Sequence, residues 1–503
     1  MAFKKIKTII LQYNLETTAF ISGAMVMILE LIGSRILAPY VGTSIYVWTN
    51  LIGVILISLS FGYWLGGKIA LHKPTDKTLS NILFYAALFI GITSLFYNSI
   101  MSVIQNILGS SNDYKMISLI FSLILFAPAN ILLGMISPYI AQLKVRNIKK
   151  TGETVGNLYA LSTLGSIVGT FFTGYFLLIF FGSTKILFIV PIFLILLSLL
   201  VYRTKKNLLR IVIFILLISI IMWFRLHSPK PKTLLLDLDT RYNRVRIVES
   251  KKFFKGKLAR MMILGQSISS GFFPEDNEPA GSYIPFFRLS YYFNPGIVKT
   301  LTIGGAGYSW PTDLLRKHKG IIVDVVEIDP ELTALAKKYF NLKDDSRLTI
   351  YHEDGRTFVN RNIQKKYDVI FMDAFKASSS SPPLQLMTKE AISKMYTMLN
   401  DNGLIVVNMI SAIEGEKGKL LRAEYRTYKS IFPQVFAFPV DSLNGTKKQN
   451  IVLIAYKSDK TNRFIGDNKE LQNLLNHLWD KKIPEDLPIL TDDFAPVEYY
   501  NFN

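Results

Sequence analysis

Two patterns of apolar and polar positions divide this chain. Over roughly the first 225 residues, apolar runs follow one another with short polar breaks. Each run is long enough to cross about 30 Å of hydrocarbon as a helix. Seven are predicted, near 17–39, 45–70, 80–103, 116–142, 157–180, 185–202 and 207–224; the last two are short, so 181–224 is the least firmly divided. Residues 226–240, containing Ser228-Pro-Lys-Pro-Lys232, read as a linker, and beyond them the pattern becomes that of a soluble protein. Leu234 to Val248 and Arg260 to Leu264 predict strands of a β-rich subdomain. From Val298 onwards β-rich runs (300–303, 321–327, 348–352, 367–373, 404–409 and 451–456) alternate with helical ones. That alternation predicts a mostly parallel sheet with helices on both faces. The expected organisation is a membrane domain over 1–225, a linker over 226–240, a β-rich subdomain over 241–297 and a nucleoside-binding α/β domain over 298–503.

Two of the spans carry small residues at helical spacing: Gly53, Gly62 and Gly66 on the second, and Gly156, Gly165, Gly169 and Gly174 on the fifth. Small side chains let helices approach closely in lipid. The first span contains Glu30 and Arg35. Charges at that depth are costly and usually face the bundle interior in pairs. Two readings stand: a structural ion pair, with Arg35 also able to reach the interface, or a substrate-contacting site in the bundle.

Composition narrows the chemistry. Half of the 503 residues are hydrophobic and the mean hydropathy is +0.29, both high for a soluble enzyme. Cysteine is absent, which excludes disulfides, thiolate metal sites and a cysteine nucleophile. Five histidines without ligand-like spacing give no reason to expect a metal. The formal net charge is +20, much of it in short loops between apolar segments, where positive charge orients a membrane protein. Nucleic-acid binding is therefore not expected, and the lipid bilayer is. The N-terminus lacks the compact apolar core and small-residue cleavage site of a removed signal peptide.

Four motifs end successive apolar runs: Leu301-Thr-Ile-Gly-Gly-Ala-Gly-Tyr-Ser309, Val326-Glu-Ile-Asp-Pro330, His352-Glu-Asp-Gly-Arg356 and Phe371-Met-Asp-Ala-Phe375. In open α/β sheets ligands bind beyond the carboxyl ends of the strands, so the motifs converge on one crevice. Gly304, Gly305 and Gly307 leave space for a ligand to approach the backbone, and the following helix offers free N–H groups. Glu327 can accept hydrogen bonds from both ribose hydroxyls, and Asp354, before Gly355, can take an adenine amino group. Alone, each acid reads equally well as a loop cap or a solvated carboxylate. In this order and spacing they point to an adenosine-type ligand. Ser309 and Trp310 stand where a dinucleotide fingerprint places its last glycine. S-adenosylmethionine therefore fits better than NAD.

These residues resemble the spermidine synthase (polyamine aminopropyltransferase) family over 234–500, including Thr491-Asp-Asp-Phe-Ala-Pro-Val-Glu498. The first part is similar to the multi-span region fused to such domains in prokaryotic membrane-bound spermidine synthase-like proteins. It matches at 30–42, at Ser60-Phe-Gly-Tyr-Trp-Leu-Gly-Gly67 and at Gly156-Asn-Leu-Tyr-Ala-Leu-Ser-Thr-Leu-Gly165. The resemblance implies a multi-span α-helical membrane domain followed by a Rossmann-like domain of the S-adenosylmethionine-dependent transferase type, with a small β-rich subdomain before it. It also implies roles: Glu327 on the ribose, Asp354 on the adenine, Gln266 near the nucleoside and Asp373 as proton acceptor. Tyr242 and Tyr283 would line the acceptor side, although each reads equally well as packing.

The chain departs from that family at three carboxylates. Gly307 stands where the first loop usually carries an aspartate, Lys376 where a second acid follows the catalytic one, and Ile284-Pro285 after Tyr283 where another acid is usual. Those acids hold cationic amines, and an ammonium leaving water without one costs several kcal/mol. Ordinary putrescine or spermidine binding is therefore not expected. The carboxylate of S-adenosylmethionine would suit Lys376 or the loop N–H groups. The expected enzyme uses S-adenosylmethionine or its decarboxylated form as co-substrate, with release of methylthioadenosine. Its acceptor would be a non-polyamine small molecule or a membrane-anchored peptide. Three alternatives stay open: a true aminopropyltransferase with a rearranged pocket, a methyltransferase, and a nucleoside-sensing membrane protein or transporter. A homodimer is also left open.

A multi-pass cell-membrane location is expected, but the side of the soluble domain is contested. Lysine and arginine are rich in the N-terminal tail (Lys4, Lys5, Lys7) and near 72–79, 143–155 and 203–210, and poor near 40–44, 104–115 and 181–184. Seven spans would then put the soluble domain outside. Supply of S-adenosylmethionine argues for the cytosol.

Overall fold

The computed structural model describes residues 13–502 apart from 73, 109–113, 146–150, 203–204, 228–232, 253, 255, 266, 375–381 and 461–462. It forms two compact units, divided between Lys230 and Pro231.

The first unit is helical. Its apolar runs form α1 (Asn14–Val41), α2 (Ile45–Ala70), α3 (Asp76–Leu108), α4 (Tyr114–Lys144), α5 (Thr151–Phe180) and α6 (Gly182–Val201). Among the described residues these six are long and apolar enough to cross a membrane. Helix α7 (Lys205–His227) is formed where the seventh run was expected. The break between α5 and α6 falls at Gly182, whose φ of +69° lets the chain turn without strain.

Small residues set the helix contacts, though not all those expected. A Cβ on Gly165 would sit 1.8 Å from the Phe20 carbonyl oxygen, and one on Gly169 2.6 Å from that of Ala24, so α5 lies backbone-close to α1. Gly62 and Gly66 do the same for α2 against α4, at 2.3 Å from the Ile131 oxygen and 2.5 Å from the Met135 oxygen. Gly53, Gly156 and Gly174 face open space instead, so the small-residue stripes are only partly packing surfaces. An ion pair joins Glu16 of α1 to Lys144 of α4. Glu30 and Arg35 both lie half-buried on α1. Five residues apart, they point roughly 140° from each other around the axis, so they do not share a helix face.

The second unit begins with a four-stranded antiparallel sheet: β1 (Leu234–Asp239), β2 (Arg244–Ser250), β3 (Ala259–Leu264) and β4 (Ser267–Phe272), paired in that order. This corrects two expectations. The segment read as a linker ends in a strand, and Leu234 to Val248 is a hairpin, turned at Thr240, whose hydroxyl accepts the Asn243 N–H at 3.0 Å.

A seven-stranded sheet follows. Its strands are β5 (Lys299–Ile303), β6 (Ile322–Val326), β7 (Leu348–Tyr351), β8 (Tyr367–Met372), β9 (Leu399–Ser411), β10 (Gln434–Pro439) and β11 (Gln449–Tyr456). Their spatial order is β7-β6-β5-β8-β9-β11-β10. The sheet is parallel except at β11, which runs antiparallel to both neighbours. Strands apolar on both faces are what a sheet covered twice requires: Leu301, Val323, Val325, Val369, Ile370 and Phe371 are all fully buried. β10 escaped the sequence reading because it is a short edge strand ending in Pro439, a place where proline is tolerated. Four helices used below are α8 (Ser309–Lys317), α9 (Pro330–Tyr339), α10 (Gly355–Arg361) and α12 (Lys419–Lys429), with α11 (Lys389–Met398) between the last two.

Candidate active site

β5 connects onward to β6 on one side and pairs with β8 on the other, so the strand order reverses there. A crevice at such a switch point is where open α/β sheets bind ligands. The loops after β5 and β8 meet in it. The Asp373 N–H donates to the Ile303 carbonyl at 3.0 Å, and a Cβ on Gly304 would lie 2.6 Å from the Asp373 carbonyl oxygen. With φ at +99° as well, position 304 is closed to a side chain on two grounds.

The glycine turn is bound up by the protein itself, which corrects the expectation of a backbone left open to a ligand. The N–H groups of Gly305 and Ala306 donate to Glu327 Oε2 at 2.9 and 2.8 Å, and that of Gly307 to Ser270 Oγ on β4 at 2.9 Å. The missing side chains make room for neighbouring protein. A Cβ would fall 2.7 Å from the Tyr308 ring at Gly305, 2.7 Å from Ser270 Cβ at Gly307, and 2.8 Å from Ile303 Cγ2 at Gly355. Tyr308 opens α8 in a left-handed conformation. Its buried hydroxyl meets Thr333 Oγ1 at 2.6 Å, which in turn contacts His352 Nε2 at 3.0 Å.

Glu327, 6% exposed, also accepts the Asp329 N–H on Oε1 at 2.9 Å. A carboxylate has about four lone-pair sites. Among the described residues Oε2 is filled and one site on Oε1 is not, where the sequence reading allowed hydrogen bonds from two ribose hydroxyls. Asp354 caps α10 by accepting the Thr357 N–H at 2.9 Å, as a loop acid would. Arg356 holds the C-terminal motif near the same helix, donating to Asp492 at 2.7 Å, while Thr388 donates to Asp492 at 2.6 Å.

Asp373 is held differently. Its Oδ2 accepts the Tyr283 hydroxyl at 2.9 Å, and its Oδ1 accepts Asn408 Nδ2 at 3.1 Å. Asn408 Oδ1 in turn accepts Asn450 Nδ2 at 2.8 Å. Burial pushes the carboxyl up to about 6 against the pull of those two hydrogen bonds, and burial beside the Asp373 charge pushes the Tyr283 phenol well above its ordinary value. Both side-chain partners of this acid are neutral donors. Tyr283 is followed by Ile284, 2% exposed in an apolar setting, and by Pro285, so no acid stands after this tyrosine.

The structure thus brings together Gly304, Gly305, Gly307, Glu327, Asp354, Gly355, Asp373 and Tyr283 at the strand ends. Tyr242 is not with them: it is 51% exposed on the β1–β2 turn, whose Thr240 donates to Asp329 at 2.6 Å. Glu30 and Arg35 belong to the helical unit, and Gln266 and Lys376 lie outside the described residues. Sequence reasoning missed Ser270, Asn408 and Asn450. For Asn408 a signal existed, since it interrupts the apolar run Leu404-Ile-Val-Val-Asn-Met409.

Comparison with known proteins places the second unit. A spermine/spermidine synthase domain matches residues 289–461. Polyamine aminopropyltransferase from Vibrio vulnificus is 30% identical over 178 residues, which is 34% of this chain and 57% of that protein. N-terminal histidine N-methyltransferase from Emericella nidulans is 34% identical over 160 residues, 31% of this chain and 27% of that protein. A solved structure of a probable spermidine synthase from Corynebacterium glutamicum aligns at 16% identity with a TM-score of 0.41, covering 51% of this chain and 90% of its own. The chain therefore spans between about a quarter and a little over half of the length of these two curated relatives. The matches define the class of the second unit as a spermidine synthase-like transferase domain. More narrowly, the domain is of the spermidine synthase type, with polyamine aminopropyltransferases among its homologues.

Proposed function

We propose that the protein is a membrane-bound aminopropyltransferase-type enzyme acting on a non-polyamine acceptor, with S-adenosylmethionine or its decarboxylated form as co-substrate. The observation that carries this reading is Asp373 at the switch point, fixed by Tyr283 and Asn408, with its carboxyl pushed up to about 6 by burial. An amine nucleophile has an ordinary pKa of about 10.4 and attacks only after losing a proton. A general base poised near the working pH suits that task. In the transfer, the acceptor nitrogen forms a bond to the carbon beside the sulfonium as the carbon–sulfur bond breaks. The electron pair goes to sulfur, giving neutral methylthioadenosine, and the nitrogen's proton goes to Asp373.

The chain's own residues divide the work. Glu327 orders the glycine turn and keeps one lone pair for the ribose, with Asp354 at the adenine end. Tyr283 and Asn408 hold the base. The acceptor side lacks the companion acids that would hold a polyamine: Pro285, after Tyr283-Ile284, and Lys376 stand in two of their places. A small molecule or a membrane-anchored peptide brought by the helical unit through the lipid bilayer fits that lack. The helical unit supports a multi-pass membrane location, through six helices of sufficient length and hydropathy.

A second reading, methyl transfer, is favoured by the methyltransferase relative. The two are separated by incubating detergent-solubilised protein with S-adenosylmethionine, or with its decarboxylated form, and identifying the nucleoside product by mass spectrometry. Methylthioadenosine that disappears in Asp373→Asn supports the proposal. S-adenosylhomocysteine would establish methyl transfer instead. Spermidine formation from putrescine at an ordinary rate would sink the non-polyamine acceptor, and binding without consumption would leave a nucleoside-sensing membrane protein.

A further inference from the structure

The proton-accepting carboxyl is supported by a chain of side chains that crosses three strands. Asp373 follows β8, Asn408 lies in β9 and Asn450 lies in β11. Asn408 is 4% exposed, between the fully buried Val407 and Met409. An amide buried at such a place is tolerated only when it is hydrogen-bonded. Ile410, not Asn408, is the cross-strand partner of Asn450, so the bond between the two asparagines runs diagonally across one face of the sheet.

The chain has a direction. Asn450 donates through Nδ2, so the Asn408 atom that receives it is Oδ1, which leaves Nδ2 turned toward Asp373. Turning the Asn408 amide over would set its oxygen against a carboxylate and its NH2 against another NH2. With Asp373 ionised, only the unturned orientation gives its Oδ1 a donor. On the other side, Tyr283 is the titratable side chain that meets Asp373, and it too donates. Among the described residues, each carboxylate oxygen therefore has one site filled by a donor.

Resting on the reading of Asp373 as proton acceptor, we propose that Asn408, with its amide oriented by Asn450, is a positioning residue that fixes the Asp373 carboxylate against Tyr283 and stabilises its ionised form. Asn450 acts only through Asn408, without touching the reacting groups.

The test uses the full-length, detergent-solubilised protein. Protonation of Asp373 is followed by infrared difference spectroscopy across a pH titration, with the band assigned by its loss in Asp373→Asn. This readout needs no turnover. Asn408→Leu is expected to move the midpoint upward by about one pH unit, a tenfold gain in proton affinity. Asn450→Leu is expected to move it in the same direction by less. The double variant should match Asn408→Leu alone, because a residue acting through Asn408 has nothing left to act on. Should Asn408→Leu not fold, Asn408→Ser and Asn450→Leu carry the same comparison. An unmoved midpoint in the Asn408 variant, or additive shifts in the double variant, would overturn the proposal. Failure of the transferase reading looks different: no nucleoside product at any pH, whatever the infrared midpoint does.

Discussion

The two halves of the crevice hold their carboxyls by different means. On the nucleoside half, Glu327 and Asp354 accept backbone N–H groups: three for the first and one for the second. Backbone donors come with the fold and cannot be withdrawn by a rotamer change. These acids are therefore built to stay in place and offer a remaining lone pair. On the acceptor half, Asp373 takes its two hydrogen bonds from side chains that arrive from distant parts of the chain, and burial brings it near neutrality. The first arrangement suits anchoring a ligand, and the second suits exchange of a proton under the proposed function. A third carboxyl in the same unit shows what happens with neither kind of partner. Glu424 on α12 is fully buried, neither oxygen has a hydrogen-bond partner among the described residues, and burial pushes it well above the ordinary carboxylate range.

The largest expected effect separates the halves outright. Asp373→Asn should lower methylthioadenosine formation by about 10²-fold or more while leaving nucleoside affinity within a few-fold, measured by turnover and equilibrium binding. Equal losses in both would mean that the halves are not distinct. The pH dependence comes next. Asp373 accepts a proton only when ionised and titrates at about 6, so the rate of the chemical step should fall about tenfold for each pH unit below that value and level off above it. A flat profile through that range would remove Asp373 as the base.

On the nucleoside half, Glu327→Ala leaves three backbone donors without their acceptor. About a tenfold or greater loss of nucleoside affinity is expected, together with a lower melting temperature, since each buried donor left unpaired costs about 1–3 kcal/mol. An unchanged melting temperature would show that the turn does not depend on this acid.

Glu424 gives a smaller effect of opposite sign. Its folded pKa is raised, so its contribution to stability is full below the ordinary carboxylate range and is lost as pH rises from there toward the folded value. Glu424→Met should therefore raise stability near neutral pH by about 1–3 kcal/mol, with the gain shrinking toward about pH 4. Thermal unfolding at both pH values checks it, and destabilisation at neutral pH would reveal a partner for this carboxyl. The smallest effect is expected at Tyr242: with its ring on the exposed β1–β2 turn, Tyr242→Phe should change turnover by less than about twofold.

Legibility in the sequence followed the range of the interactions. The six long apolar helices and the parallel strands were readable because length and periodicity are local properties of the chain. The motifs at the ends of β5 to β8 were readable for the same reason: each is a short run beside its own strand. The edge strand β10 and the antiparallel β11 were less so, because edge and direction are relations between strands. The glycine turn was recognised as a turn but misjudged in use. Its glycines face Asp373, Tyr308 and Ser270, residues placed there by other elements.

By itself the sequence determined a run of membrane-length helices, an α/β order and the carboxyls that end the strands. These follow from hydropathy, side-chain period and turn chemistry, which act over a few residues at a time. The tertiary structure alone decided which carboxyl is held by side chains from distant parts of the chain. Asp373 meets Tyr283 from 90 residues earlier and Asn408 from 35 residues later, while Asn450 reaches Asn408 across strands 42 residues apart. Register between strands is set by packing of the whole sheet. A carboxyl held by such contacts exists only once that sheet has formed.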